Sequence, residues 1–214
     1  MKDNKYNLEY FDFGKIIGMF EMPTIEPVDY VPNKLTGFNY AMSSKDDDTG
    51  IHFFLDDYQF ERVWNRLHFY TDILKRFDCV FTPDFSLYTD MPVPLMIYNV
   101  YRSRLVGQYM QKQGLQVIPT VSWSDPVSYQ FCFDGLPKHS TVAVSTVGVL
   151  KNKDARKIWE DGFTELLERV EPKRVLLYGG EIDYSFPDDL EIIRYPSNMR
   201  KRFSELEAGK VNDR

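Results

Sequence analysis

The chain is poor in the residues and motifs that would mark a secreted, membrane-spanning or metal-clustered protein. Only two of its 214 residues are cysteine, Cys79 and Cys132, and no CxxC spacing joins them. Each sits among apolar residues, so buried free thiols in a reducing compartment explain them more simply than a disulfide or a zinc site. The three histidines, His52, His68 and His139, have no HExxH spacing, and neither a GxSxG elbow nor a GxxxxGK[ST] phosphate loop occurs. No window approaches eighteen uncharged apolar residues, and the opening MKDNKYNLEYFDFG carries acids where a secretion signal needs an apolar stretch. The expectation by elimination is a cytoplasmic protein without membrane contact. Positive charge is scarce too. A net charge of −6 opposes the broad positive field that phosphate-backbone binding needs, leaving local patches such as Arg200, Lys201 and Arg202, which suit either a phosphate contact or a solvated helix face.

What is present is an ordinary globular composition, 43% hydrophobic and 27% charged, with 16 Phe, 14 Tyr and 3 Trp. The length suits one compact domain. Residues 1–36 mix aromatics with Pro23, Pro27 and Pro32 and read as an irregular lead-in that wraps the domain. A single α/β domain is expected over 37–206, followed by a polar tail over 207–214.

Within that domain strand and helix patterns alternate. Strands are expected at GFNYAMSS (37–44), IHFFLDD (51–57), CVFTPDFS (79–86), LQVIPTVSW (115–123), TVAVSTVGV (141–149), RVLLYGG (174–180) and DLEIIRYP (189–196). Helical spacing runs from Asp57, as a first-turn cap, to Phe77, then over about 93–112 with Pro94 in the first turn and Gly114 closing it. A short helix follows Asp125 and Pro126, a longer one covers about 152–170, and SNMRKRFSEL starts a last one. Strands apolar on both faces and followed by helices point to an α/β fold with parallel strands. Two architectures satisfy that order: a slim or distorted (β/α) barrel-like fold, narrowly favoured, and an open doubly wound parallel sheet. The barrel is favoured because several strands end in polar residues and no single glycine-rich loop dominates. Its weakness is length, since barrels usually need about 250 residues.

In either architecture the carboxyl ends of the strands share one face, where a site forms. The groups delivered there are Asp56 and Asp57; Asp84 and Ser86; Ser122, Trp123 and Asp125; Ser145 and Thr146; and Tyr178, Gly179, Gly180 and Glu181. Paired carboxylates are the minimum equipment for acid-base hydrolysis, one protonated to donate and one ionised to accept, and they also hold hard cations. Asp56, Asp84 and Glu181 are therefore the candidate acid, base or metal ligands, and magnesium or manganese is the cofactor such a set admits. Competing structural roles stand beside them: Asp57 and Asp125 as helix caps, and Asp84 beside Pro83 as a turn residue. Trp123 is either a flat wall for a sugar or base or a lid on the core. Arg102 and Arg104 either reach a ligand anion or face solvent. Tyr178, Gly179 and Gly180 complete the candidate binding set, the glycines because they allow close backbone approach to an anion, although paired glycines also make ordinary turns.

PDFS at 83–86, NVYRSR at 99–104, IPTVSW at 118–123 and FDGLPK at 133–138 occur here in that order. Together they resemble a family of bacterial and phage proteins, the domain of unknown function numbered 4417, over most of residues 51–180. The resemblance implies a bacterial, phage or mobile-element setting. It places Asp84, Asn99, Arg102, Arg104, Trp123, Ser124 and Asp134 in shared motifs and assigns them no roles. Two functions follow as expectations. One is a carboxylate- or metal-assisted hydrolase acting on a polar, phosphorylated or glycosidic, small ligand. The other is a noncatalytic module that binds a host protein or nucleic acid through exposed aromatics and the 200–202 cluster.

Overall fold

A computed structural model describes residues 5–197. The expected last helix, the 200–202 basic cluster and the polar tail lie outside the described residues. The lead-in contains a hairpin of two short antiparallel strands, β1 (Ile16–Ile17) and β2 (Met22–Pro23). Seven parallel strands follow: β3 (Leu35–Gly37), β4 (Gly50–His52), β5 (Cys79–Phe81), β6 (Val117–Ile118), β7 (Thr141–Ser145), β8 (Arg174–Gly179) and β9 (Glu191–Pro196). Helices α1 (Glu61–Asn65) and α2 (Leu67–Leu74) follow β4, α3 (Val93–Lys112) follows β5, and α4 (Lys153–Val170) follows β7.

The pairing order is β3-β4-β5-β6 in one sheet and β7-β8-β9 in the other. A parallel bridge, Thr120 with Ala143, joins them, carried by Val121 N–H to Ala143 O (2.8 Å) and Ala143 N–H to Pro119 O (2.9 Å). Pro119 lacks an N–H, so the ladder narrows to this bridge. Strand order thus follows chain order, with α-helical crossovers after β4, β5 and β7.

The curvature is strong. Tyr178 of β8 stacks on Phe54 just past β4 with ring centroids 5.0 Å apart and lies 4.4 Å from the His52 ring, although three strands separate β4 from β8 in the order. No backbone pairing joins β3 to β9 among the described residues, so the favoured closed barrel is not formed and the parallel sheet is open at that seam. A side chain bridges the seam: Tyr195 Oη donates to the carbonyl of Pro32 (2.5 Å). β3 offers only three residues for pairing, which leaves little ladder with which to close.

The strands feed two hydrophobic clusters by the two-residue alternation of a strand. Ala143, Leu176 and Tyr178 face the first cluster with α1, α2 and the Phe38, Phe53 and Phe81 rings, whereas Val142, Val144, Val175 and Leu177 face the second with α4. α4 fits because Trp159, Phe163, Leu166 and Val170 fall on one stripe, and Asn152 caps it, its Oδ1 accepting from the amides of Asp154 (2.9 Å) and Ala155 (3.2 Å). Burying such side chains stabilises by about 1.5–3 kcal/mol each. α3 is buried from Arg102 to Met110 because the lead-in covers its far side. Gln108 Nε2 donates to Lys15 O (2.8 Å) and Gln111 Nε2 to Glu26 O (2.9 Å).

Several elements are shorter than the sequence pattern suggests. Residues 38–40 form a 3-10 turn rather than a strand, and the chain leaves the sheet after His52 and after Phe81, where Pro83 follows. The helix expected from Asp57 to Phe77 breaks at Arg66, where the Trp64 carbonyl accepts from the Asn7 side chain (2.9 Å). Arg104 does not face solvent. It is buried and donates to the carbonyls of Asp134 (3.0 Å), Thr120 (3.3 Å) and Cys132 (2.7 Å), binding the FDGLPK segment to the end of β6. Burial lowers its pKa to about 10, so it stays charged at neutral pH. Among the described residues no helix is long and apolar enough to cross a membrane.

Candidate active-site cleft

The carboxyl ends of β4, β5, β6 and β7 open into one cleft of about 890 Å³. Asp56 and Gln59 come from the turn after β4, Asp84, Ser86 and Asp90 from the loop after β5, and Ser122, Trp123 and Ser124 from the segment after β6. Ser145 and the first turn of α4, including Asp154, close the remaining side.

Asp84 is the most perturbed group of this set. The residue is partly buried, and enclosure of its carboxyl pushes the pKa up to about 7; the charge of Asp57 pushes in the same direction, and a hydrogen bond from the Ser122 side chain opposes both. A carboxylic acid in this state is divided between its proton-donating and proton-accepting forms at neutral pH.

Asp57 was expected to cap the following helix, and its side chain does something else. It accepts from the Ser86 amide (3.2 and 3.3 Å to its two oxygens) and hydroxyl (2.8 Å), which holds the loop carrying Asp84. The Ser86 carbonyl in turn accepts from Asn99 Nδ2 (2.7 Å), Asn99 Oδ1 accepts from Arg102 Nη2 (2.7 Å), and Arg102 Nη1 bridges both Glu61 oxygens (2.7 and 2.9 Å). The Arg102 guanidinium also stands 3.7 Å from the centre of the Phe85 ring. Arg102 therefore reaches neither solvent nor the cleft: it is the inner end of a chain of polar contacts that positions the Asp84 loop.

Trp123 lines the cleft in a set orientation. Its Nε1 donates to the Ile158 carbonyl (3.1 Å), and its ring lies so close to α4 that a Cβ at Gly162 would fall 2.1 Å from Nε1. A glycine is what lets the helix and the indole meet.

The other candidates are elsewhere. Glu181 is exposed and does not line the cleft with Asp56 and Asp84. Among the described residues no three His, Cys, Asp or Glu side chains gather as a metal-holding group. Tyr178 is buried in the concave interior against Phe54 and His52. Gly179 and Gly180 tie β8 to β7: the Gly180 amide donates to Thr146 Oγ1 (2.9 Å), Thr146 Oγ1 donates to the Gly180 carbonyl (2.8 Å), and Gly179 adopts φ +126° beside it. Asp125 does begin the 3-10 turn Pro126–Gln130, but through its backbone, whose carbonyl accepts from Ser128 N (2.9 Å), without a side-chain cap. Asp90, Asp154 and Ser124 line the cleft without having been named as catalytic or binding candidates. Asp90 and Asp154 stand beside the starts of α3 and α4, a position that the strand-to-helix order alone brings to this face.

The family described as Domain of unknown function (DUF4417) matches residues 15–196. The match starts inside the lead-in, which the motif resemblance left out. The chain is similar to the Gene 1 protein of Mycobacterium phage L5, 38% identical over 186 residues that cover 86% of this chain and 81% of that protein. It is also similar to the Gene 1 protein of Mycobacterium phage D29, 38% identical over 198 residues covering 88% and 72% respectively. No solved structure matches the chain.

Proposed function

Given that the chain belongs to the DUF4417 family, and so is a phage- or mobile-element-type protein, we propose that it is a carboxylate-assisted hydrolase acting on a polar small molecule in the cleft. One observation carries this: a carboxyl held near pKa 7 at a strand end, inside a cleft assembled from four consecutive strands. Perturbed groups in concave sites are where acid-base chemistry concentrates. Asp84 is the general acid, and Asp56, exposed on the same cleft, is the base that takes a proton from water. Asp57 holds the loop and, by its charge, keeps Asp84 protonated to higher pH. The near-closed curvature, with β4 and β8 in contact, supports reading the sheet as an incomplete barrel with its site at the mouth. The assay is run with and without magnesium and manganese; with Asp84 keeping its proton as the acid, Asp56 is the catalytic carboxylate left to hold such a cation.

The test is a hydrolysis screen on the full chain, followed by Asp84→Asn. Activity should fall as pH rises above about 7, where the acid loses its proton, and the variant should lose roughly 100-fold or more while its melting transition stays cooperative and does not fall. Full activity in Asp84→Asn would end this reading.

One observation favours the noncatalytic alternative. Phe13, Ile17 and Met19 of the lead-in are 75%, 53% and 81% exposed, an apolar surface suited to a protein partner. An inactive hydrolase screen, with partner capture abolished by Met19→Asp, would favour that function.

A further inference from the structure

The cleft's polar equipment selects a class of substrate. No lysine, arginine or histidine is among its lining residues, whereas Asp56, Asp84, Asp90 and Asp154 are. None of these four is engaged by an ion pair among the described residues, although carboxylates elsewhere, such as Asp29, Asp72, Glu61 and Glu171, are paired. Helix amino termini, which usually make this face of an α/β fold attractive to phosphate, have most of their first-turn amides already spent here. Asn152 takes the amides of Asp154 and Ala155 in the first turn of α4, and in the first turn of α3 Pro94 has no N–H while the amides of Leu95 and Met96 are spent on the Pro92 carbonyl. An anionic ligand would meet four carboxyl groups, no cationic side chain and helix amino termini whose amides are largely spent.

A second, independent observation points to an uncharged ligand with hydroxyl groups. Ser124 lines the cleft and is 2% exposed, and its Oγ, shielded in this rotamer, has no hydrogen-bond partner; a turn about its Cα–Cβ bond is needed to present the hydroxyl to a ligand. A hydroxyl in that state favours a ligand group that can pair with it. Beside it Trp123 offers a flat wall already locked by Ile158 and Gly162.

Resting on the hydrolase reading, we propose that the substrate is an uncharged glycoside, whose sugar ring lies against Trp123 and pairs one hydroxyl with Ser124 Oγ, and that phosphorylated sugars are rejected. Hydrolysis then breaks the bond between the anomeric carbon and the glycosidic oxygen. That oxygen leaves with the bonding electrons and receives the Asp84 proton. The oxygen of water bonds to the anomeric carbon and its proton passes to Asp56; exchange with solvent restores both carboxyls. Positive charge that develops at the anomeric carbon is stabilised by the unpaired carboxylates.

The test uses tryptophan fluorescence and calorimetry on the full chain, with methyl glucoside, methyl galactoside, N-acetylglucosamine and uridine as neutral probes and their monophosphates as matched anions. At least one neutral probe should bind, its phosphate at least tenfold more weakly, and Ser124→Ala should weaken the neutral probe by roughly tenfold with the melting transition retained. Equal or tighter binding of the phosphates, no neutral binding up to tens of millimolar, or an unchanged affinity in Ser124→Ala would each overturn the proposal. Turnover of the matching nitrophenyl glycosides and of nitrophenyl phosphate separates the two levels. Glycoside binding without turnover sinks the hydrolase and keeps the ligand class, whereas phosphate-ester hydrolysis without glycoside binding does the reverse.

Discussion

Replacing Asp84 with asparagine should stabilise the protein, and by an amount that depends on pH. The fold raises the Asp84 pKa from 3.8 to about 7, chiefly by burial. An acid raised in this way favours the fold's neutral form. Well below pH 3.8 the group is protonated in both states and contributes no pH dependence. As pH climbs through 3.8 the unfolded chain ionises and the folded chain does not follow, so stability falls until pH about 7 and is then level. At about 1.4 kcal/mol per pH unit the full penalty is about 4 kcal/mol. The amide of Asp84→Asn keeps a partner for Ser122 and cannot ionise. Its advantage over the parent should therefore grow by about 2–3 kcal/mol between pH 5 and pH 8. For a chain of this size 1 kcal/mol moves the melting temperature by about 2–4 °C, so the growth amounts to roughly 5–10 °C. Urea denaturation and calorimetry at both pH values read this directly. A stability difference that is the same at pH 5 and pH 8 would refute the premise that the cleft holds Asp84 neutral. Asp57→Asn, which removes the nearby charge, should lower the folded-state pKa of Asp84, so that the loss of stability begins at the same pH, levels off at a lower one and is smaller without being abolished.

Other perturbations test the surrounding structure. Arg104→Met should destabilise by about 3 kcal/mol in chemical denaturation, because three carbonyls lose their donor in a buried setting. Gly162→Ala forces a methyl into the Trp123 ring and should cost about 1–3 kcal/mol together with a change in tryptophan emission. The Cys79 and Cys132 thiols are both buried, and burial pushes both pKa values up, that of Cys132 to about 12. They should react with a disulfide reagent at pH 8 only as fast as the chain opens, and both at once in denaturant.

The long, strongly periodic segments were legible. Val93–Lys112 and Lys153–Val170 lie where helical spacing and, for the first, Pro94 put them, and Arg174–Gly179 and Glu191–Pro196 fall inside the expected apolar runs. The strands that begin at Leu35, Gly50, Cys79 and Val117 have only two or three residues; the last two stop short of Pro83 and Pro119, and side chains such as Thr82 replace ladder bonds there. Thr82 Oγ1 accepts from the Thr120 amide at 2.9 Å, a substitution no local pattern announces. Four of the strand ends named from sequence do meet at the cleft, those carrying Asp56, Asp84, Trp123 and Ser145. The remaining group, Tyr178 to Glu181, ends at the same edge, yet its glycines are consumed by Thr146 and its glutamate lies away from the cleft.

By itself the sequence determined the alternation of strands and helices, the parallel direction that such crossovers impose, and the edge on which a site would form, since these follow from local periodicity and chain direction. Only the tertiary structure decided what each polar side chain meets. Arg102 became a prop for the Asp84 loop because Glu61 and Asn99 come to it from separate elements, and Asp84 became an acid near neutrality because enclosure and the charge of Asp57 act on it through space. Desolvation and charge coupling depend on distance in three dimensions, which sequence spacing does not contain.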